Sequence, residues 1–427
     1  GIGDIVEGVI EAAHGVEELA HAKAAASSPS ALHDTAHTLT KEVKAVLETF
    51  VSDAVQALFK WIGLYGQAPD LHAFEEQFRL ILVPSEVGAV DDDIWFARQR
   101  VAGPNPLMIE GVDTLPSGLA FTDEDYRRVL PDDTLQGALD EGRIFIADYK
   151  LLDGMSGGTV PRYPKYVTAH IAVFALPRGA QELVPVGIQL GQTSDDATPL
   201  FQPDGSVAWR LAKLHVQVAD GQIHEMVSHL GQTHLLVEAF AVTTPRQLST
   251  SHPLYALLTP HTQGTIAIND LANQTLIAPN NFVDRILAGP LDQETKLAVD
   301  SVLAITFDQF SLRQRLAARN VLDADRLPFY PYRDDALLIW DALESWVHDY
   351  LSLWYRHPAD LANDSELQAW LTELGASSDD GGAGLKGIRA TTVPELVQLV
   401  TTAIFMGSAE HAAVNFPQSY IMSYTPA

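Results

Sequence analysis

Three histidines and one asparagine, divided between two distant segments, constrain the fold of this chain most. His229 and His234 lie in the run His-Leu-Gly-Gln-Thr-His, and His411 and Asn415 lie in His-Ala-Ala-Val-Asn. Imidazole and carboxamide groups are donors that borderline metal ions accept, and the chain has no cysteine that would compete for such an ion. We therefore predict a metal site that two helices build together, which requires the fold to bring these segments side by side.

Taken alone, the pair at 229 and 234 has a second interpretation. A helix turns by about 100° per residue, so positions five apart point about 140° away from each other. Two hydrogen-bonded core histidines fit this spacing equally well. A π-bulge would rotate both side chains onto nearly one face, so we predict a widened helix here if both bind one ion. His411 and Asn415, four apart, share a face of a regular helix.

Composition excludes several classes of function. The chain has 55 acidic and 27 basic residues and a formal charge of −28, which opposes binding to nucleic-acid phosphates. No run of 18 apolar residues predicts a membrane-spanning helix. The absence of cysteine excludes disulfides and thiol catalysis. An apolar fraction of 47% is typical of a chain with a large core.

Periodicity predicts a mainly α fold with a small antiparallel sheet. Three segments rich in β-branched and aromatic residues predict strands at 143–152, 165–176 and 183–190. Helical spacing follows at 206–219, 221–241, 262–275, 293–318, 334–354, 365–374 and 393–415. The last helix begins with a capping box, Thr392 to Glu395, and Pro394 lies in its first turn. Five histidines are assigned to hydrogen-bonded core positions: His170, His215, His224, His252 and His261.

Residues 1–90 predict a separate N-terminal helical region, and residues 91–427 the main domain. The first helix is weakly amphipathic, which favours bundle packing and leaves peripheral membrane contact as the alternative. A cytoplasmic or membrane-associated location is expected. Gly154 to Gly158 matches the G-x-S-x-G pattern of hydrolases, but Gly158 and Pro161 oppose the helix that this pattern requires. We predict a turn there.

The segment from Trp209 to Leu276 resembles the lipoxygenase family, and the resemblance extends over roughly residues 90–427. The motifs that carry it stand in that family's usual order: Phe96 to Gln99, Gly103 to Pro106, Pro185 to Leu190, Trp209 to Lys213, Ser228-His229, Thr233-His234, His252 to His261, Ile268-Asn269, Tyr330 to Tyr332, Asn363 to Gln368, and His411 to Phe416. The resemblance implies a large helical catalytic domain of bacterial type, without the N-terminal β-barrel of other members.

The resemblance also implies a mononuclear non-haem iron site with His229, His234 and His411 as ligands and Asn415 as a weaker oxygen ligand. Manganese replaces iron in some relatives. The implied reaction inserts O2 into polyunsaturated fatty acids that carry a cis,cis-1,4-pentadiene. A ferric hydroxide takes a hydrogen atom, and the product is a hydroperoxide.

Four further positions match the family one by one. Ala272 occupies the site where alanine accompanies S oxygenation, so an S hydroperoxide is expected. Leu276 matches an apolar residue against the pentadiene, although core packing is an alternative. Glu225 and Gln418 match polar residues near the metal ligands. Asn273 departs from the arginine common in the family.

The end of the chain departs most from the family pattern. Lipoxygenases use their C-terminal carboxylate as a further ligand, more than a hundred residues after the His-Ala-Ala-Val-Asn motif. Here twelve residues follow Asn415. We therefore expect this chain to be a piece of a longer protein, truncated at both ends. The alternative function is a non-catalytic fatty-acid-binding domain or scaffold domain of a fusion protein, inactive because the C-terminal carboxylate ligand is absent.

Overall fold

The structure is a computed structural model that describes residues 84, 89, 91–162, 164–195 and 198–418. These residues are mainly helical and contain one small antiparallel sheet, as predicted. Segment Ala267–Ile286 falls in one compact unit, and Pro84–Ile266 with Leu287–Ala427 forms another. Apart from residues 84 and 89, the predicted helical region 1–90 and its membrane contact lie outside the described residues and stay predictions.

The sheet is an antiparallel meander whose strands pair in the order of the sequence. Its strands are β1 (Ile109–Val112), β2 (Ile144–Asp148), β3 (Ile171–Ala175), β4 (Val184–Gln189) and β5 (Leu200–Phe201). All five residues of β3 are buried, because a hydrophobic cluster covers one face and Phe96 stacks on Phe174 with ring centroids 5.8 Å apart. Burial on both sides explains why the central strands read as continuous apolar runs. The three predicted strands are confirmed with shorter bounds, and the edge strands β1 and β5 were missed.

Fifteen α-helices fall within the described residues. They are α1 (Asp93–Ala102), α2 (Asp123–Val129), α3 (Leu135–Asp140), α4 (Val207–Ile223), α5 (Leu236–Gln247), α6 (Pro253–Thr262), α7 (Thr265–Thr275), α8 (Phe282–Ile286), α9 (Leu291–Leu303), α10 (Leu312–Ala318), α11 (Pro331–Leu351), α12 (Pro358–Asn363), α13 (Ser365–Gly375), α14 (Val393–Phe405) and α15 (His411–Asn415). Two π-helical segments, His224–Leu235 and Met406–Glu410, join α4 to α5 and α14 to α15. These two continuous helices, 207–247 and 393–415, are called here the first and second ligand helices.

The predicted break in the first ligand helix is wrong. The segments predicted as separate helices at 206–219 and 221–241 are one helix, which continues through Asp220 and Gly221. Asp220 is buried and its carboxylate accepts from the hydroxyl of Tyr149 at 2.8 Å and the amide of Asn105 at 3.1 Å. Because these partners come from distant segments of the chain, tertiary contacts outweigh the local preference for a turn.

Two other predicted helices differ from the structure in their bounds. The helix predicted at 262–275 begins at Thr265, because Thr262 ends α6 and Gly264 lies between α6 and α7 with φ = 85°. The segment 293–318 is divided where Thr306 begins a capping box with Gln309. A glycine in the left-handed region and a second capping residue each end a helix that apolar spacing alone would continue.

The predicted capping box and the predicted turn are both present in the structure. Thr392 and Glu395 form the predicted capping box of the second ligand helix. Gly154 has φ = 78°, and no helix follows it before the undescribed residue 163, so the hydrolase pattern lies in a turn. Among the described helices, none is both long enough and apolar enough to cross a bilayer.

Candidate metal centre

The π-helical segment of the first ligand helix carries two of the predicted ligands. His224–Leu235 is π-helical throughout, so the predicted widening between His229 and His234 is confirmed. The wider turn brings their Nε2 atoms to 3.2 Å from each other. The Thr233 hydroxyl donates to the carbonyl of His229. This carbonyl, which a backbone amide would satisfy in an α-helix, thereby keeps a hydrogen-bond partner. Local unwinding therefore turns a spacing of five into a pair on one side.

Gly231, between the two histidines, lets helix α9 approach the widened segment. A Cβ at this position would lie 2.7 Å from the carbonyl oxygen of Ala298 and closer still to the hydroxyl of Ser301. No side chain fits between these backbones. The absence of a side chain at position 231 therefore lets α9 pack directly against the stretch that carries both histidines.

The second ligand helix supplies His411 from the first turn after its own π-helical segment. His411 is half-buried. Burial, with the neighbouring imidazoles of His234 and His229, lowers the pKa of His411 to about 4. The ring is therefore neutral near pH 7, and a neutral imidazole has the lone pair that metal binding requires.

The three Nε2 atoms form a nearly equilateral triangle. His229 and His411 are 3.3 Å apart, His234 and His411 are 3.0 Å apart, and His229 and His234 are 3.2 Å apart. Imidazole–metal bonds are about 2.0–2.1 Å long, and three such bonds on one face of an ion give separations of this size. Among the described residues, this is the only group of at least three histidine or acidic side chains placed to hold one metal ion. The donors fit a metal.

Behind His229 lie the two polar residues singled out from the sequence, Glu225 and Gln418. The Nδ1 atom of His229 is 3.5 Å from Glu225 Oε2 and 3.0 Å from Gln418 Nε2, and the Gln418 amide donates to Glu225 at 2.7 Å. Burial opposes ionisation of Glu225, but its hydrogen bond to His229 and the neighbouring imidazoles of His224 and His234 lower its pKa. A carboxylate behind a histidine orients the ring and leaves Nε2 free to face an ion.

The other predicted site residues are placed less directly. Asn415 is half-buried one turn after His411, on the same helical face. Ala272 lies on α7. Leu276 lies in the turn that follows this helix, and its backbone amide donates to the carbonyl of Ala272 at 2.8 Å. Both belong to the separate unit Ala267–Ile286. Their roles, and that of Asn415 as a ligand, stay predictions.

His224 links the two ligand helices, a role that sequence reasoning did not assign to it. It was predicted to be a hydrogen-bonded core histidine, and its Nε2 lies 2.6 Å from the carbonyl oxygen of Val414. Two more of the five core histidines have polar partners, with His170 near Thr168 at 2.9 Å and His252 near Asp364 at 3.1 Å.

Other contacts around the histidines were missed altogether. Asn105 accepts a hydrogen bond at 2.9 Å from Ser228, the residue before His229. Arg315 and Glu410 form a buried ion pair beside His411. An acidic residue directly before His411, Glu410, was the one signal of that pair in the sequence.

A cavity of about 230 Å³ adjoins the second ligand helix but does not face the imidazoles. It is lined by Ala409 and Ala413 on that helix and by Tyr332, Ala336 and Ile339 of α11, among others. Positions 409 and 413 lie about 200° around the helix from 411, because each residue turns by about 100°. The cavity therefore lies behind the ligand helix.

Comparison with known proteins agrees with this arrangement. The family model described as Lipoxygenase matches residues 77–427. The chain is 40% identical to the linoleate 9/13-lipoxygenase of Pseudomonas aeruginosa over 88% of its length and 56% of that protein. It is 38% identical to the hydroperoxide isomerase ALOXE3 of Homo sapiens over 78% of its length and 47% of that protein.

A solved structure shares the fold. An anaerobic crystal structure of a LOX variant in complex with arachidonate matches with a TM-score of 0.80 and 27% identity, over 91% of this chain and 58% of that one. The chain thus spans about half the length of the relatives it matches.

Proposed function

This chain belongs to the lipoxygenase family, and we propose that it is, or is part of, a dioxygenase that inserts O2 into polyunsaturated fatty acids. The observation that carries the proposal is the triangle of three imidazole nitrogens, 3.0–3.3 Å apart and contributed by two helices. Neutral histidines on one face of an ion leave positions open for other ligands, as oxygenases of the non-haem type require. The linoleate 9/13-lipoxygenase relative makes linoleate the first substrate to test.

We propose iron as the ion, held by His229, His234 and His411, with Asn415 as a weaker oxygen ligand; manganese is the alternative. When bound, iron would supply the one-electron oxidant that removes a hydrogen atom from the methylene between two double bonds. Neutral ligands favour the reduced ion and keep its oxidised form a strong oxidant. The low pKa of His411 fits such a neutral set.

The protein residues around the histidines have separate tasks in this proposal. Glu225 and Gln418 hold the ring of His229 with Nε2 toward the ion. Leu276 would contact the pentadiene. The methyl group of Ala272 would block one end of the pentadiene from O2, so the product would be an S hydroperoxide.

The function is tested by metal analysis and by the rise in conjugated-diene absorbance when linoleate is added to the full-length protein. We expect one iron per chain and diene formation that requires O2. We expect His234→Gln to lower the metal affinity by more than roughly 100-fold, because loss of a residue that only supports a ligand typically costs up to that much. The exposed His348 on α11 offers a matched control, since His348→Gln removes an imidazole outside the triangle.

Two outcomes would redirect the assignment. A chain that binds iron and fatty acid but forms no diene would favour the alternative function, a fatty-acid-binding or scaffold domain. A chain that binds no metal would exclude the oxygenase.

Stereochemistry is tested at Ala272. We expect Ala272→Gly to shift the product from S toward R, as resolved by chiral chromatography, because the blocking methyl group is gone. Ala267→Gly on the same helix is the matched control, since it has the same helix-propensity cost of about 1 kcal/mol and Ala267 is exposed. An unchanged S to R ratio in both variants would remove Ala272 from the proposal.

A further inference from the structure

One guanidinium group contacts both ligand helices. Arg315 lies on the short helix α10, outside either of them. Its Nη1 donates to Glu410 Oε1 at 2.8 Å, and its Nη2 donates to Gln232 Oε1 at 2.9 Å. Glu410 directly precedes His411, and Gln232 lies between His229 and His234. Arg315 therefore holds a residue next to each ligand-bearing stretch.

The partner on the second ligand helix is fully buried. Glu410 has no exposed surface, and the Arg315 side chain is 12% exposed. The second carboxylate oxygen of Glu410 accepts from the hydroxyl of Tyr332 on α11. A buried carboxylate is costly unless it is paired and fully hydrogen-bonded. Since both oxygens of Glu410 have partners, its position is determined by Arg315 and Tyr332 together.

The chemistry of arginine suits a link between two helices. The guanidinium is planar and presents its donors in a rigid fork, so the bond to Glu410 fixes the direction of the bond to Gln232. Lysine has a point charge on a flexible stem and would keep the pair with Glu410 without this direction. Both ligand stretches border or lie in π-helical backbone, which seldom persists without support from its surroundings.

We propose that Arg315 is a positioning residue of the metal centre. By holding Gln232 and Glu410 together, it sets the separation of the two ligand helices and aligns the three imidazoles before an ion binds. This inference rests on the proposed function of the histidine triangle as a metal site. It predicts that loss of the link lowers the metal affinity but has little effect on the stability of the metal-free protein.

The test uses the full chain and Co²⁺ as the metal, with affinity measured by competition with a chelator and the visible spectrum reporting ligand geometry. We expect Arg315→Lys and Gln232→Leu each to lower the affinity for Co²⁺ by about 10–100-fold, the range typical of residues behind metal ligands. Gln232→Leu leaves the Arg315–Glu410 pair intact, so it tests the link without an unpaired buried charge. The double variant should lose no more than the larger single loss, because both changes break one link.

Arg313→Lys is the matched control. Arg313 lies on the same helix and pairs with Asp341 at the surface, away from the histidines. We expect its affinity for Co²⁺ to equal that of the wild type. Thermal unfolding of the metal-free proteins, measured in parallel, separates an effect on the fold from an effect on the site.

The outcomes distinguish this inference from the proposed function. If wild type binds one Co²⁺ and both Arg315→Lys and Gln232→Leu bind it within twofold of wild type, Arg315 is a structural residue only and the inference is overturned. Additive losses in the double variant would also overturn it, because the two residues would then act separately. A wild-type chain that binds no metal would remove the proposed metal site and this inference with it.

Discussion

The two ligand helices reach the same centre by different means. The first carries two histidines five residues apart and needs twelve residues of π-helix to bring them together. The second carries His411 and Asn415 four apart on α-helix and has its five-residue π-helical segment just before them. In the first helix the distortion contains the ligands, whereas in the second it precedes them.

The surroundings of the two helices differ accordingly. The first is backed closely by α9, where there is no room for a Cβ at Gly231. The second begins with a capping box at Thr392 and packs apolar residues, including Leu396 and Val400, in the core. A widened helix thus depends on close backbone contact with a neighbour, and a regular helix can depend on its own cap and apolar face.

The largest expected difference concerns pH. Burial raises the pKa of Glu294, on the helix that backs the first ligand helix, from 4.5 to about 7. The carboxyl group of Glu294 therefore loses its proton at a lower pH in the unfolded chain than in the folded chain. As pH rises from about 4.5 to about 7, the free energy of unfolding falls by on the order of 3 kcal/mol in total. We expect Glu294→Gln to remove this loss, so its free energy of unfolding in urea should change less between these pH values than that of wild type.

The matched substitution on the second ligand helix should act in the opposite direction. Hydrogen bonds from the hydroxyl and amide of Thr391 lower the pKa of Glu395 to about 2. Its contribution is present above about pH 4.5 and is lost as pH falls toward 2. Glu395→Gln should flatten only this acid limb of the stability curve. Identical pH profiles for the two variants would contradict the contrast.

A glycine in each π-helical segment gives the second test. Gly231→Ala should destabilise the protein by about 1–3 kcal/mol, since the new methyl group meets backbone that cannot move aside. Gly407→Ala should be within about 0.5 kcal/mol of wild type, because its Cβ would meet the side chain of Val237 at 3.3 Å, and alanine favours the helix. Urea unfolding of the metal-free proteins measures both. Equal losses would show that the two segments are supported alike.

The smallest effect is expected where the helices meet through His224. His224→Phe keeps an aromatic ring but removes the hydrogen bond to the carbonyl of Val414, which should cost about 1–2 kcal/mol in unfolding free energy. The exposed His348 is the control, and His348→Phe should stay within about 0.5 kcal/mol of wild type. A loss no greater than the control's would mean that this bond contributes nothing to holding the helices together.

Much of the site could be predicted because its signals are local or belong to the family pattern. The spacing of His229 and His234 required a π-helix once both were assigned to one ion, and the cap at Thr392 is a motif of four residues. The central strands were recognised because burial on both faces leaves continuous apolar runs. Ser228 and Asn105 lie in two of the family motifs, but no sequence pattern predicts their hydrogen bond.

The errors arise where distant partners decide local structure. The predicted break at position 220 is absent, since buried partners of Asp220 from two distant segments keep it helical. Strand β1 has four residues, one of them Gly111, so its sequence signal is weak. The pair of Arg315 with Glu410 joins residues 95 apart, and no pattern along the chain relates them.

The separation of the ligands along the chain has a consequence for how the protein is made. His234 and His411 are 177 residues apart, so the polypeptide between them must already be arranged before their rings can meet. Closing so long a loop is entropically costly and slow. An ion would then bind late in folding, after the two segments have come together, and would not nucleate the fold. The fraction of chains that carry metal would therefore report the fraction that had finished folding.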